Sequence, residues 1–244
     1  MALPNEVIFL LHAAVAFAAV VAAGRLGRDW LVALIVTCTI LMNIDVWKQM
    51  TLFGLPVTGG NVLYTTVFFA NDCLNEHYGR RVAIQAVWKG FAAGFFVVAM
   101  TSFMLWYAPN EFDSAQPHMA YLFDVGGYPR IVAFSMLSYI LSQWMDARLY
   151  DAIRRRTGTH RLLWLRTNGS TWLSQAFDTL FFTTAALTGI IINSWAEWLG
   201  AVAFAYLVKV ATAVLDTPFL YLTTWRPLRP PGSIRAMLST HRAV

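Results

Sequence analysis

Long apolar blocks separated by short charged loops are the feature that most limits what this chain can fold into. Seven blocks are long enough, or nearly so, to cross a hydrocarbon core, which takes about 20 apolar residues in a helix. They cover residues 7–24, 30–47, 61–76, 82–107, 128–150, 168–192 and 195–225. Only 13% of the residues are charged, about half the usual share in a soluble domain. The sequence therefore predicts one all-α domain over residues 1–225, a polytopic membrane helix bundle with about seven transmembrane helices.

The basic residues fall in alternate loops and so predict an orientation. Arginines lie between spans one and two, between spans three and four, around the link between spans five and six, and after span seven. The other loops hold mostly acidic residues, such as Glu111, Asp113 and Glu197. The positive-inside rule then places the N-terminus outside and the C-terminus in the cytoplasm. The basic, Pro-rich tail at residues 226–244 is predicted to be a disordered cytoplasmic extension.

Several functional classes are disfavoured by what the sequence contains. The net charge of +5 is explained by the cytoplasmic loops, so nucleic-acid binding is not expected. Cys38 and Cys73 lie in apolar segments, and the histidines have no metal-ligand spacing, so we expect neither a disulfide nor a metal site. The chain has no Gly-rich phosphate loop, nucleophile elbow or His-Glu-x-x-His motif, which argues against a nucleotide-driven pump or a protease. No cofactor and no enzymatic activity are predicted.

Polar residues inside the predicted spans are the candidates for a functional site, because an ionisable side chain is costly in lipid. Asp72 and Glu76 are four residues apart and share one face of span three. Spans five and six each carry the sequence Leu-Ser-Gln-x-x-Asp, in which the amide and the carboxylate lie on the same helix face. The full set of candidates is Asp72, Glu76, Gln143, Asp146, Gln175, Asp178, Lys209 and Asp216.

The depth of these residues favours a shared cavity. At about 1.5 Å per residue, Asp72, Gln143, Asp178 and Lys209 fall within about one turn of the midpoints of their spans, and Asp146 and Asp216 lie about two turns toward the cytoplasm. Transporters commonly bind substrate near the midplane. The alternative is that the polar residues only hold helices together, as Lys209 would by pairing with Asp178 or Asp216. Two Gln–Asp pairs and a third carboxylate exceed what helix association requires, so we favour the cavity.

Several motifs together resemble a known family. Residues 61–81 contain an aromatic run followed by Asp, then Glu-x-Tyr-Gly and a basic pair. The blocks at residues 43–48, 141–146 and 164–178 are similar to the same family. This combination resembles the queuosine precursor transporter family, also called the vitamin uptake transporter family, over roughly residues 30–216.

The resemblance implies uptake of 7-cyano- or 7-aminomethyl-7-deazaguanine across the bacterial inner membrane, for queuosine synthesis in tRNA. A carboxylate accepts the adjacent N–H donors of a guanine-like edge, and an amide serves its carbonyl. Gln143, Asp146, Gln175 and Asp178 are therefore predicted to hold this edge. Asp72 or Glu76 would meet an aminomethyl cation or carry a coupling proton.

Further residues complete the predicted site. Asn168 lies within one of the matching blocks and is included as a polar contact. A flat heterocycle stacks on aromatic rings, for which Phe68, Phe69, Trp144 and Phe177 are candidates. The partners expected are a purine-like small molecule and the lipid bilayer.

Three other functions stay open at this point. The chain would be a substrate-binding subunit if it docked on a separate energising module, for which the Ala-rich first span provides a packing face. An intramembrane enzyme using the Asp and Glu residues lacks a recognisable catalytic constellation. A structural scaffold would not need buried carboxylates. The sequence leaves the oligomeric state open, a homo-oligomer included.

Overall fold

A computed structural model describes residues 3–123, 129–158, 162–190 and 192–224 of the chain. Within these ranges the chain forms eight α-helices and one β-hairpin. The helices are α1 (Asn5–Leu26), α2 (Arg28–Asp45), α3 (Asn61–Tyr78), α4 (Arg80–Trp106), α5 (Gln116–Phe123), α6 (Pro129–Thr157), α7 (Leu163–Phe182) and α8 (Trp195–Thr224). A π-helical turn, Thr183–Leu187, continues α7.

The long helices coincide with the predicted spans, and the prediction of a helical membrane protein is confirmed. Their ends differ from the sequence boundaries: α6 continues past residue 150 to Thr157, and α7 begins at Leu163 rather than at residue 168. By length and composition alone, α1, α4 and α8 are apolar enough to cross a membrane. The predicted cytoplasmic tail, residues 226–244, lies outside the described residues.

Two elements at one end of the bundle were not predicted. Strands β1 (Gln49–Leu52) and β2 (Leu55–Thr58) pair antiparallel, in a segment that was expected to be a loop between spans two and three. Phe53 and Gly54 both have positive φ, 51° and 78°, which suits a two-residue turn whose twist matches the strands. The short helix α5 is the second addition. Both elements lie in loops between the predicted spans. They are too short to form an apolar block of spanning length, so the span prediction could not detect them.

Helix α3 forms the centre of the bundle. It contacts α1, α2, α4, α6, α7 and α8, and its residues from Thr65 to Glu76 are all buried. On the α1 side, Phe17 packs edge-on against Phe69, with ring centroids 5.7 Å apart. The outer faces of the surrounding helices expose large apolar side chains, such as Phe95 and Phe96 on α4. This arrangement is what lipid as solvent requires.

The basic loops gather at one end of the bundle. Arg80, at the start of α4, lies 3.3 Å from the carboxylate of Asp151 near the end of α6. The backbone N–H of Trp164, at the start of α7, donates to the hydroxyl of Tyr221 near the end of α8 at 3.2 Å. The start of α1 lies at the other end, against the β-hairpin. The start of α4, the end of α6, the start of α7 and the end of α8 therefore lie at the same end of the bundle, together with the basic residues.

Candidate functional site

An open cavity of about 180 Å³ lies toward the hairpin end, between α2, α3, α4, α6, α7 and α8. Tyr64 and Phe91 supply aromatic surface, and Asn43 contributes an amide. Asp178 and Lys209 also line this cavity. We call it the outer cavity.

An ion pair inside the bundle occupies one wall of the outer cavity. Lys209 Nζ contacts Asp178 Oδ2 directly. Ser138 Oγ donates to Asp178 Oδ1 at 2.6 Å, and the ammonium group lies 5.0 Å from the centroid of the Tyr64 ring. Both oxygens of Asp178 are therefore engaged by the protein. A ligand reaches this carboxylate only by sharing it with Lys209 or displacing Lys209.

A layer of buried polar side chains continues inward from the ion pair, on α3, α6, α7 and α8. The Asn71 amide donates to Gln143 Oε1 at 3.1 Å, which joins α3 to α6. Ser174 Oγ donates to Asp146 Oδ1 at 3.1 Å, which joins α7 to α6. These pairs arise because each helix turns its polar residues, spaced three or four apart, to the bundle interior.

Three carboxylates in this layer form the carboxylate cluster, namely Asp72, Asp146 and Asp216. Each is at most 1% exposed, and electrostatic interactions link Asp72 to the other two. Asp72 lies beside Thr167 and Asp146, yet both of its oxygens lack a hydrogen-bond partner among the described residues. The same is true of Asp146 Oδ2 and Asp216 Oδ1.

Amide groups around the cluster are also left without partners in the part of the chain that the structure describes. The atoms concerned are Gln143 Nε2, Asn168 Oδ1, Gln175 Oε1 and Asn71 Oδ1. An unsatisfied buried polar group costs about 1–3 kcal/mol, and native structures contain few of them. Their concentration in one layer, with both donors and acceptors available, is what a binding site for a polar heterocycle requires.

Glu76 has a different environment from the carboxylate cluster. Arg166 Nη1 donates to its two oxygens at 2.9 and 2.8 Å, and the Tyr150 hydroxyl donates at 2.9 Å. Arg154 Nε lies 3.7 Å away. The pairing with Arg166 was not predicted, because the predicted span began two residues later and Arg166 was placed in a basic loop. The structure therefore engages Glu76 with two arginines and a tyrosine at the basic end.

The aromatic candidates divide between the interior and the surface. Trp144 is 38% exposed, and the Arg148 guanidinium lies 3.7 Å from the centroid of its ring, so it faces out of the bundle. Phe177 stacks on Phe181. Phe68 is fully buried, with its ring centroid 5.3 Å from that of Tyr64. Tyr64 was missed, although it lies eight residues before Asp72 and so shares its helix face.

The remaining predicted residues also lie in the polar layer. Asn168 donates to Thr217 Oγ1 at 2.7 Å, which ties α7 to α8. Gln175 is 3% exposed. Most members of the predicted set are buried in the bundle interior, Asp178 and Glu76 form ion pairs, and Trp144 lies at the surface.

Comparison with known proteins agrees with this architecture. The sequence model of a family described as "Putative vitamin uptake transporter" matches residues 58–223. A protein of Bacillus subtilis (strain 168) named "Probable queuosine precursor transporter" is 40% identical over 195 residues, which cover 80% of this chain and 83% of that protein. No solved structure matches the chain. The resemblance predicted from the motifs is thereby confirmed, and the chain is a membrane protein that belongs to the vitamin uptake transporter family.

Proposed function

We propose that this protein imports a queuosine precursor, 7-cyano- or 7-aminomethyl-7-deazaguanine, across the bacterial inner membrane. The observation that carries the proposal is the 40% identity, over 80% of the chain, to a relative named as a transporter of such a precursor. The buried polar layer supports it, because its unpartnered donors and acceptors suit a guanine-like edge.

The base binds, in this proposal, against α6 and α7. Asp146 Oδ2 accepts from the N–H donors of the base, while Gln143 Nε2, one turn earlier on the same helix, donates to its carbonyl. Gln175 Oε1 adds an acceptor from α7. Tyr64, which lines the outer cavity and packs against Phe68, offers a ring for stacking on that side.

Access to this position is through the outer cavity. The Asp178–Lys209 pair lines the outer cavity, and Asp178 lies one turn along α7 from Ser174, which donates to Asp146 in the carboxylate cluster. Asp178 therefore contacts the base during passage rather than holding it at rest. This differs from the sequence-based prediction, in which Asp178 was one of four groups fixed on the base.

We also propose seven transmembrane spans with the N-terminus outside and the C-terminus in the cytoplasm. The seven long helices have 18 to 30 residues. At about 1.5 Å per residue, 18 residues nearly cross a hydrocarbon core of about 30 Å. The meeting of the Arg-rich loops at one end of the bundle supports this orientation.

The proposal is tested by uptake of labelled 7-aminomethyl-7-deazaguanine in cells that cannot synthesise it. Expression of the protein should restore queuosine in tRNA. Asp146→Asn should lower the initial uptake rate at least tenfold, since a lost hydrogen bond to a charged group costs about 1.5–3 kcal/mol. Gln175→Ala should lower it several-fold, because the neutral hydrogen bond that it removes is worth about 0.5–1.5 kcal/mol.

Gln85→Ala is the matched control, because Gln85 lies exposed on α4, and it should transport like the unmodified protein. Absence of uptake with the protein present in the membrane would refute the proposal. Co-purification of ATPase subunits would favour instead a substrate-binding subunit that works with an energising module.

A further inference from the structure

The buried charges of the bundle do not balance. The buried acidic residues in the described ranges are Asp72, Glu76, Asp146, Asp178 and Asp216. Glu76 is paired with Arg166, and Asp178 with Lys209. None of the ion pairs found among the described residues includes a member of the carboxylate cluster. Three carboxylates therefore share the interior without a countercharge.

The groups that lie beside the cluster come from α3, α6, α7 and α8. From α7 they are hydroxyls, since Thr171 and Ser174 donate to Asp146 Oδ1 at 3.4 and 3.1 Å. Helix α8 contributes the carboxylate of Asp216, which is a member of the cluster. The other titratable groups within electrostatic reach of the cluster are Cys73 on α3 and Tyr150 on α6. None of these neighbours supplies a positive charge.

A second observation points to a ligand at the cluster. Thr167 Oγ1 lies beside Asp72, is fully buried, and has no hydrogen-bond partner within the described part of the chain. A hydroxyl in this position can accept from a protonated carboxyl or donate to an ionised one. The site therefore provides hydrogen bonding for both protonation states of Asp72.

Three ionised carboxylates at this depth would each cost several kcal/mol, and their mutual repulsion would add to that cost. A positive charge must accompany them, and a proton is the smallest. A coordinated metal ion is not indicated, because no group of three or more His, Cys, Asp or Glu in the described residues is arranged to hold one.

We propose that the carboxylate cluster is a proton-binding site that couples import of the base to the proton gradient, an inference that rests on the proposed function. An oxygen of Asp72 or its neighbours takes up one proton from the outer cavity and forms an O–H bond, and the base then binds. When the cluster faces the basic end, that bond breaks and the proton leaves to the cytoplasm with the base. One proton enters for each base carried.

The test uses purified protein in liposomes with the membrane potential clamped at zero and 7-cyano-7-deazaguanine, which carries no positive charge of its own, as substrate. With acid outside, one coupled proton should give about tenfold accumulation for each pH unit of gradient. Asp72→Asn, which keeps the shape but stays neutral, should let the base equilibrate without accumulating. Asp29→Asn, whose side chain is 76% exposed, should accumulate the base as the unmodified protein does.

A second measurement does not depend on transport. Infrared spectroscopy should detect the carbonyl stretch of a protonated carboxyl group in the unmodified protein, and this band should disappear or lose intensity in Asp72→Asn. Uptake that ignores the pH gradient, or that follows a Na⁺ gradient instead, would overturn the inference and leave the import function standing. The infrared band without uptake of any base would support the proton site and refute the import function.

Discussion

Two buried carboxylate–cation ion pairs, Glu76–Arg166 and Asp178–Lys209, lie in different surroundings in this protein. Glu76 is held by Arg166 and by the Tyr150 hydroxyl, so both of its oxygens are hydrogen-bonded within the protein, beside a pocket at the basic end. Asp178 and Lys209 border the outer cavity. We expect hydrogen bonding to fix the Glu76–Arg166 pair and the Asp178–Lys209 pair to exchange partners with a ligand.

The Glu76–Arg166 pair should be required for stability. Both side chains are at most 5% exposed, and removal of one partner leaves an uncompensated buried charge that costs about 3–5 kcal/mol. Arg166→Met should therefore lower the unfolding free energy by about 3 kcal/mol, measured by denaturant unfolding in detergent.

Asp151→Asn is the control for that change. Asp151 pairs with Arg155 and Arg80, whose side chains are 71% and 40% exposed, and each such pair is worth at most about 1 kcal/mol. Combining Arg166→Met with Glu76→Gln should recover part of the loss, since neither charge is then left alone. An Arg166→Met protein as stable as the unmodified one would contradict the assigned role of Glu76.

Close approach of α2 and α4 depends on a glycine. A Cβ built on Gly90 would lie 2.9 Å from Thr39 Oγ1, nearer than packed atoms allow. That hydroxyl is already fixed, since it donates to the Ile35 carbonyl at 2.8 Å and lies 3.1 Å from the Tyr139 hydroxyl. The α2–α4 contact, and through Tyr139 the position of α6, therefore follow from the absence of a side chain at residue 90.

Gly90→Ala should destabilise the bundle by about 1–3 kcal/mol through overpacking. Gly94→Ala, one turn later, is the matched control, because its Cβ would meet only Thr39 Cγ2 at 3.9 Å. There the gain from reduced chain entropy, about 0.4–1 kcal/mol, should dominate. Thermal melting of the two variants in detergent compares them directly, and equal melting temperatures would refute the steric argument.

The arrangement of the whole bundle predicts which residues label from which side of the membrane. Cys38 and Cys73 are free and buried, so they should not react with a membrane-impermeant maleimide. Ser114→Cys, in an exposed loop at the hairpin end, should label in intact cells. Arg156→Cys, exposed at the basic end, should label only after the membrane is opened. Labelling of Arg156→Cys in intact cells would contradict the proposed orientation.

The long helices and the buried polar residues could be predicted from the amino-acid sequence. Apolar blocks of spanning length predicted the long helices, because a helix in lipid must be apolar over its whole length. The same property made the polar residues conspicuous, and Asp72, Asp146 and Asp216 were identified by their cost in lipid alone. The family followed from short motifs around them, and the match over residues 58–223 confirmed it.

Only the tertiary structure decided which of these polar residues have partners. Asp72 and Glu76 are four residues apart on one helix, yet Glu76 meets Arg166 from α7 while Asp72 meets no cation among the described residues. Periodicity gives the face of a helix but not the residue that an opposing helix presents to it. Those contacts depend on the rotation and approach of packed helices, which features as small as the missing side chain at Gly90 determine.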